Sequence, residues 1–139
     1  MPADPQPGLP QPHETPTNAP MLKAWRESGT LTLQRCAACA KVIFYPRAVC
    51  PHCWSDRLDW IGASGTGRVV SYTRIHRGLP AAFQAEAPIV LAEIALAEGA
   101  LMIARIVTAD AAAVRSGMAV RLVPAGDAAR YPLPTFTPA

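Results

Sequence analysis

From residue 68 onward, apolar and polar positions alternate along most of the chain, and breaks of Gly, Pro and Ser cut the pattern into short strands. Arg68 to Arg77 is rich in β-branched and aromatic residues (Val69, Val70, Tyr72, Thr73, Ile75) and ends at Gly78-Leu79-Pro80. Ile89 to Leu96 predicts the next strand, Glu98-Gly99 a tight turn, and Leu101 to Val107 its hairpin mate. The alanine-rich stretch Ala109 to Val114 predicts a turn or two of helix before Ser116-Gly117. Ala119 to Val123 predicts a fourth strand, and Tyr131 to Phe136 a fifth that Pro132 and Pro134 confine to an edge or extended tail. Five strands in about 70 residues with one short helical insert predict a small closed barrel, of which the OB-fold is one kind.

The preceding region has a different rhythm. Pro20 to Gly29 predicts a short amphipathic helix: Pro in the first turn, Met21, Leu22 and Trp25 on one face, and Gly29 as its stop. Trp25 is its expected anchor. Leu31 to Arg35 alternates like a strand, with Leu31, Leu33 and Arg35 on one face, and Val42 to Tyr45 and Leu58 to Ile61 predict two more. The first nineteen residues contain six prolines and no Lys or Arg, and predict a disordered or polyproline-like arm. The predicted organisation is an arm at 1–19, a helix with a metal-stapled ribbon at 20–64, and a barrel at 65–139.

Cysteine spacing supplies the sharpest chemical signal. Cys36-x2-Cys39 and Cys50-x2-Cys53 are separated by ten residues, and each two-residue gap curls the backbone into a knuckle that turns two sulfurs toward a common point. A segment this small buries too little apolar surface to hold itself together, so a structural Zn2+ held by all four thiolates is the expected staple. An iron-sulfur centre and a redox pair are the competing readings; the redox reading lacks its βαβ context. Four thiolates leave no coordination position for water, so the metal builds shape and performs no chemistry. Lys41, His52 and Arg57 lie near the ligands, and Arg35 and Arg47 flank the two knuckles.

Charge and composition narrow the function. The formal charge is +3; four zinc-bound thiolates and a divalent cation reduce it to +1. A chain this close to neutral lacks the basic excess that phosphate-binding proteins use, which argues against nucleic acid. The longest apolar run, Ala87 to Ile94, is broken by Pro88 and Glu93, well short of the roughly 18 residues a membrane-spanning helix needs. The first residues lack the basic and apolar regions of an export signal, so a reducing cytoplasm is the expected location. Three histidines (His13, His52, His76) and scattered acids form no paired-carboxylate spacing, and no phosphate loop or nucleophile elbow is present. Outside the cysteines, the most suggestive segment is His76 to Phe83, which joins a cationic pair to a Gly/Pro loop and an aromatic residue. Arg77 suits a phosphate or carboxylate, and Phe83 suits an apolar pocket on a partner. The plainer reading is a barrel loop with Phe83 folded back onto the core.

Taken together, Leu33-Gln34-Arg35-Cys36, Phe44, Pro46-Arg47, Cys50-Pro51-x-Cys53, Trp60, Ser64-Gly65-x-Gly67, Val69 to Thr73, His76-Arg77, Pro80-Ala81-x-Phe83, Gly117-Met118 and Leu133-Pro134-x-Phe136 resemble one family. It is the zinc-ribbon plus OB-fold family labelled domain of unknown function 35, whose members accompany acyl-CoA enzymes. The resemblance implies a mostly β chain: an N-terminal helix and four-cysteine zinc ribbon, then a five-stranded OB-fold barrel. It further implies a non-catalytic accessory subunit that binds a thiolase-fold partner, a thiolase or a lipid-transfer-protein-like aldolase acting on steroid CoA thioesters, or a MaoC-like hydratase. In that reading the barrel helps form the partner's acyl-CoA site, the ribbon is a second contact arm, and Arg35, Arg47, His76, Arg77 and Phe83 are the candidate CoA or partner contacts. Two positions depart from the family pattern. Ala40 replaces a Gly, which costs about 1 kcal/mol if φ there is positive, and Phe44-Tyr45-Pro46-Arg47 replaces Phe-Pro-Pro-Arg. A second reading from another class is single-stranded nucleic-acid binding, which OB barrels and zinc ribbons also serve and which needs aromatics on a basic barrel face. A third is a structural adaptor without a ligand.

Overall fold

The computed structural model describes residues 8–139; residues 1–7 of the predicted arm lie outside it. Helix α1 spans Ala19–Ser28, with Pro in its first turn. Gly29 ends it at φ 64, where its N–H donates to the Trp25 carbonyl at 2.9 Å. A side chain at Gly29 would meet Ala125 and Ala128 at 3.0 Å, so the helix stop is also a close crossing. Met21, Leu22 and Trp25 form the buried face. The Trp25 indole N–H donates to the Tyr131 carbonyl at 2.8 Å and the ring packs on Val123 and Ala128, so Trp25 anchors the helix as its spacing predicts.

Three strands follow: β1 (Thr32–Cys36), β2 (Val42–Ile43) and β3 (Leu58–Gly62), ordered β2-β1-β3 and all antiparallel. The second strand stops two residues sooner than predicted. In β1 the Leu31/Leu33 face is buried as expected, but Arg35 is exposed and Gln34, on the opposite face, is buried. The Gln34 amide explains its own burial: its Nε2–H donates to the Arg47 carbonyl at 3.0 Å, and its Oε1 accepts from the Arg47 N–H at 2.8 Å. The side chain therefore pairs with a loop backbone much as another strand would.

The barrel consists of β4 (Thr66–Ile75), β5 (Ile89–Leu96), β6 (Leu101–Ile106), β7 (Ala119–Leu122) and β8 (Phe136–Pro138), closed in the order β4-β5-β6-β8-β7 with β7 returning to β4. β8 runs antiparallel to β7 and parallel to β6, the pairing that shuts the barrel. It begins where the predicted fifth strand ends, because Pro132 and Pro134 withhold ladder donors from the residues before it. β4 pairs along one edge with β5 and, over Thr66 to Arg68, along the other with β7, and its register with β5 shifts at an irregularity between Val69 and Ser71. At Gly67 a Cβ would lie 2.7 Å from the Ala95 carbonyl oxygen, so the close approach of β4 and β5 requires glycine.

Inward positions of β5 and β6 alternate as a half-buried sheet requires: Ile94, Met102, Ala104 and Ile106 join Val69, Val90, Val120 and Phe136 in one core. Leu31 and Leu33 belong to the same core, so the base of the three-stranded sheet is built into the barrel. Two short helices escape the pattern reading: α2 (Ala81–Gln84) and α3 (Ala125–Ala128). The predicted alanine-rich helical insert is a single 3₁₀ turn at Ala111–Ala113. Arg74 fastens that turn to the barrel by donating to the carbonyls of Ala111, Ala112 and Val114 at 2.7, 3.0 and 2.7 Å. No helix among the described residues is long and apolar enough to cross a membrane.

Candidate metal centre

Two knuckles of matching construction hold the cysteines. After the first, the Ala40 N–H donates to the Cys36 carbonyl at 2.8 Å; after the second, the Trp54 N–H donates to the Cys50 carbonyl, also at 2.8 Å. Each closing residue takes a left-handed backbone, Ala40 at φ 64 and Trp54 at φ 66. The strain anticipated at Ala40 is therefore present, and the second knuckle repeats it with a much larger side chain. Trp54 is 80% exposed, so packing within this chain does not account for the tryptophan.

The four sulfurs all lie within 4.8 Å of one another, with Cys36 Sγ 3.5 Å from Cys53 Sγ and Cys39 Sγ 3.7 Å from Cys50 Sγ. A zinc–sulfur bond of about 2.3 Å places tetrahedral sulfurs about 3.8 Å apart, so the cluster has the size that zinc requires. Its electrostatics agree. The Cys39 backbone N–H, helped by that of Ala38 and by neighbouring thiols, overcomes desolvation and draws the Cys36 thiol down to about 6, into the thiolate form at neutral pH. At Cys53 the Ser55 backbone N–H also favours the thiolate, but the Cys36 sulfur, desolvation and the other two sulfurs outweigh it and push the thiol up to about 12. Sulfurs this close resist a second negative charge, and a divalent cation among them reverses that repulsion. The His52 backbone N–H lies 3.4 Å from Cys50 Sγ, a further donor to the cluster.

Cys36 and Cys50 are fully buried, Cys39 is half-buried and Cys53 is exposed, so one edge of the cluster meets solvent. Around it the apolar core is thin: Cys36, Cys50 and Ile43, flanked by Cys39 and Leu58. The ligands are thus the larger part of the core they stabilise.

The remaining candidate residues do not form one site. Arg35 and Arg47 have exposed side chains on the ribbon, and His76 and Arg77 are exposed beyond the end of β4. Among the described residues, the hydrogen bonds and ion pairs include none from these four side chains. Phe83 sits on α2, is half-buried, and lines a cavity within this chain together with Phe44, Met102 and Tyr131. The sequence reading missed Gln34, whose amide fixes the backbone of Arg47, and Arg105, which pairs with Glu86 at 2.8 Å. A long polar residue at the fourth position of the alternating stretch Leu31-Thr32-Leu33-Gln34 was the available signal.

The ribbon and barrel each match a family model: a rubredoxin-like zinc ribbon domain of ChsH2 over residues 26–59, and a C-terminal OB-fold domain of ChsH2 over residues 60–124. A DUF35 domain-containing scaffold protein of Methanocaldococcus jannaschii is 36% identical over 107 residues, covering 74% of this chain and 75% of the relative. The chain belongs to the DUF35 family, built as a zinc ribbon followed by an OB-fold barrel. A chain of the solved Ltp2-ChsH2(DUF35) aldolase superposes with a TM-score of 0.76 at 35% identity, covering 92% of this chain and 98% of that one. A probable enoyl-CoA hydratase alpha subunit of Thermomonospora curvata is 38% identical over 109 residues, 78% of this chain; the chain spans only 34% of that subunit's length.

Proposed function

We propose that this chain is a non-catalytic partner subunit of a thiolase-fold enzyme, a thiolase or a lipid-transfer-protein-like aldolase, and that it helps form that enzyme's acyl-CoA site. The observation that carries the reading is the end-to-end likeness to a chain of the Ltp2-ChsH2(DUF35) aldolase, at an identity well above that of fold resemblance alone. The relative described as an enoyl-CoA hydratase subunit and the relatives described as scaffold proteins support the same direction: a domain that works beside catalytic machinery.

The chemistry of the site is consistent with that role. The zinc cluster offers four thiolates and no open position, so it supports shape. Arg35, Arg47, His76 and Arg77, exposed and without side-chain hydrogen bonds or ion pairs among the described residues, are available to partner carboxylates or CoA phosphates, and exposed Trp54 and Tyr45 provide the aromatic area that interface hot spots favour. The nucleic-acid reading receives less support. Of the barrel aromatics Phe136 is in the core, Phe83 and Tyr131 line the internal cavity, and Tyr72 lies against Arg74, which leaves no row of faces for bases to stack on.

Co-expression with the thiolase-fold protein encoded nearest to this chain tests the reading. The expected result is one hetero-oligomeric peak on size-exclusion chromatography, with acyl-CoA bound more tightly by the complex than by either protein alone. A lone chain that no such partner retains overturns it.

A further inference from the structure

The proline-rich segment before α1 has a period of its own. Leu9, Pro12 and Thr15 are half-buried, whereas Pro10, Gln11, His13 and Glu14 between them are exposed. Three residues make one turn of a polyproline helix, and Pro10 and Pro12 fix the φ that it needs, so the spacing sets Leu9, Pro12 and Thr15 on one face. All three line a cavity of about 470 Å³ whose other walls include Phe44, Tyr45, Tyr131 and Leu133. A proline-rich chain laid against an aromatic-lined groove is a recurring mode of peptide recognition, because such a chain is already stiff before it binds.

The segment neither fills this groove nor is tied firmly to it. The space left beside it is as large as many ligand sites. Among the described residues, no backbone hydrogen bond joins Leu9 to Glu14 to the ribbon or the barrel. The polar ties gather at the α1 end: the Asn18 Nδ2–H donates to the His13 carbonyl at 3.0 Å, the Thr15 N–H donates to Asn18 Oδ1 at 2.8 Å, and Glu14 pairs with Arg26 at 2.7 Å between exposed side chains. We propose that the groove docks a proline-rich segment of a partner protein with large apolar side chains three residues apart, and that Leu9 to Thr15 is a strap covering it until such a segment takes its place. A tethered strap competes at a roughly millimolar effective concentration, so the displacing segment must make the apolar contacts that the strap leaves unmade. The inference goes beyond the partner-subunit reading: it does not require a thiolase-fold partner, and peptides alone test it.

Zinc-loaded, ¹⁵N-labelled full-length protein is titrated with a synthetic peptide of residues Gly8 to Asn18 and with the same peptide carrying Thr15→Leu. In the protein variant Leu9→Ser/Pro12→Ser, which releases the strap, both peptides should bind saturably, shifting the backbone amides of Phe44, Met102 and Tyr131. The amides of β4, which lines no part of the groove, should stay in place and report that the variant is folded. The Thr15→Leu peptide should bind roughly three- to tenfold more tightly than the parent. Both should bind the unaltered protein at least about tenfold more weakly than the released variant, because the strap competes. As the Thr15→Leu peptide saturates the unaltered protein, the Leu9 and Gln11 amides should move toward their positions in the released variant. Tyr45→Ala, at a side chain 51% exposed and outside the core, should weaken peptide binding about fivefold or more in that variant. Absence of a saturable shift in the released variant, equal binding of a peptide carrying Leu9→Ser and Pro12→Ser, or saturation that leaves the strap amides unmoved would overturn the proposal. Concentration-dependent dimerisation of the unaltered protein through these residues would assign the groove to a second copy and overturn it too. Uptake of butylbenzene but of neither peptide by the released variant would do the same, since the groove would then belong to a small apolar molecule.

Discussion

The barrel and the knuckle end of the ribbon solve the same problem with opposite means. In the barrel, Ile94, Val69, Val120, Phe136 and their neighbours bury a continuous apolar core, and the strand order closes on itself so that no long edge stays unpaired. At the knuckles, two of the three buried residues are cysteines, and two backbone positions are held in a left-handed conformation. Hydrophobic burial sustains the first, while the second needs bonds to a cation. The base of the ribbon belongs with the barrel, because Leu31 and Leu33 are part of its core. The boundary between the two means thus runs through the three-stranded sheet, between Leu33 and Cys36.

The largest expected effect tests the barrel side. Phe136 is fully buried where β8 meets β6 and β7, and Phe136→Ala should cost about 3–5 kcal/mol in urea unfolding. Because Leu31 and Leu33 share that core, protection at the base of the ribbon should fall with it. The metal side gives a local effect: Cys50→Ser should abolish stoichiometric zinc and remove hydrogen-exchange protection between Cys36 and Leu58, while β4 to β7 keep theirs. Loss of protection throughout the barrel would show that the division is wrong.

Between these lies Gln34, whose amide ties the loop carrying Arg47 to β1. Gln34→Leu leaves that loop's N–H and carbonyl without partners and should cost about 1–3 kcal/mol, with exchange accelerating at Arg47 ahead of any change in the barrel. The smallest effect concerns the knuckle backbone. Ala40→Gly relieves a positive φ and should stabilise the zinc-loaded protein by about 0.5–1 kcal/mol after the added unfolded-state entropy is counted, read as a small rise in Tm.

Much of this division was legible in the amino-acid sequence, because its main signals are periodic or covalent in origin. Two-residue alternation located β4 to β7, the 3.6-residue spacing of Met21, Leu22 and Trp25 located α1, and the paired cysteines announced the metal site before any fold was known. What escaped the reading depends on contacts between distant segments. Arg74 caps a 3₁₀ turn some forty residues away, Gln34 pairs with the Arg47 backbone, and Phe83 turns inward to a cavity whose other walls come from the helix, the ribbon and the last strand's approach. The four-residue helices α2 and α3 are too short to show a period. Ala40 was legible in part: its place after the first knuckle predicted a strained backbone, but nothing in the sequence indicated that Trp54 repeats that strain at the second.

X-ray absorption at the zinc edge, combined with metal analysis of the freshly purified chain, addresses the central claim most directly. The account predicts one zinc per chain with four sulfur neighbours at about 2.3 Å and no nitrogen or oxygen in its shell. Less than one metal per chain, or a shell containing water or imidazole, would contradict it.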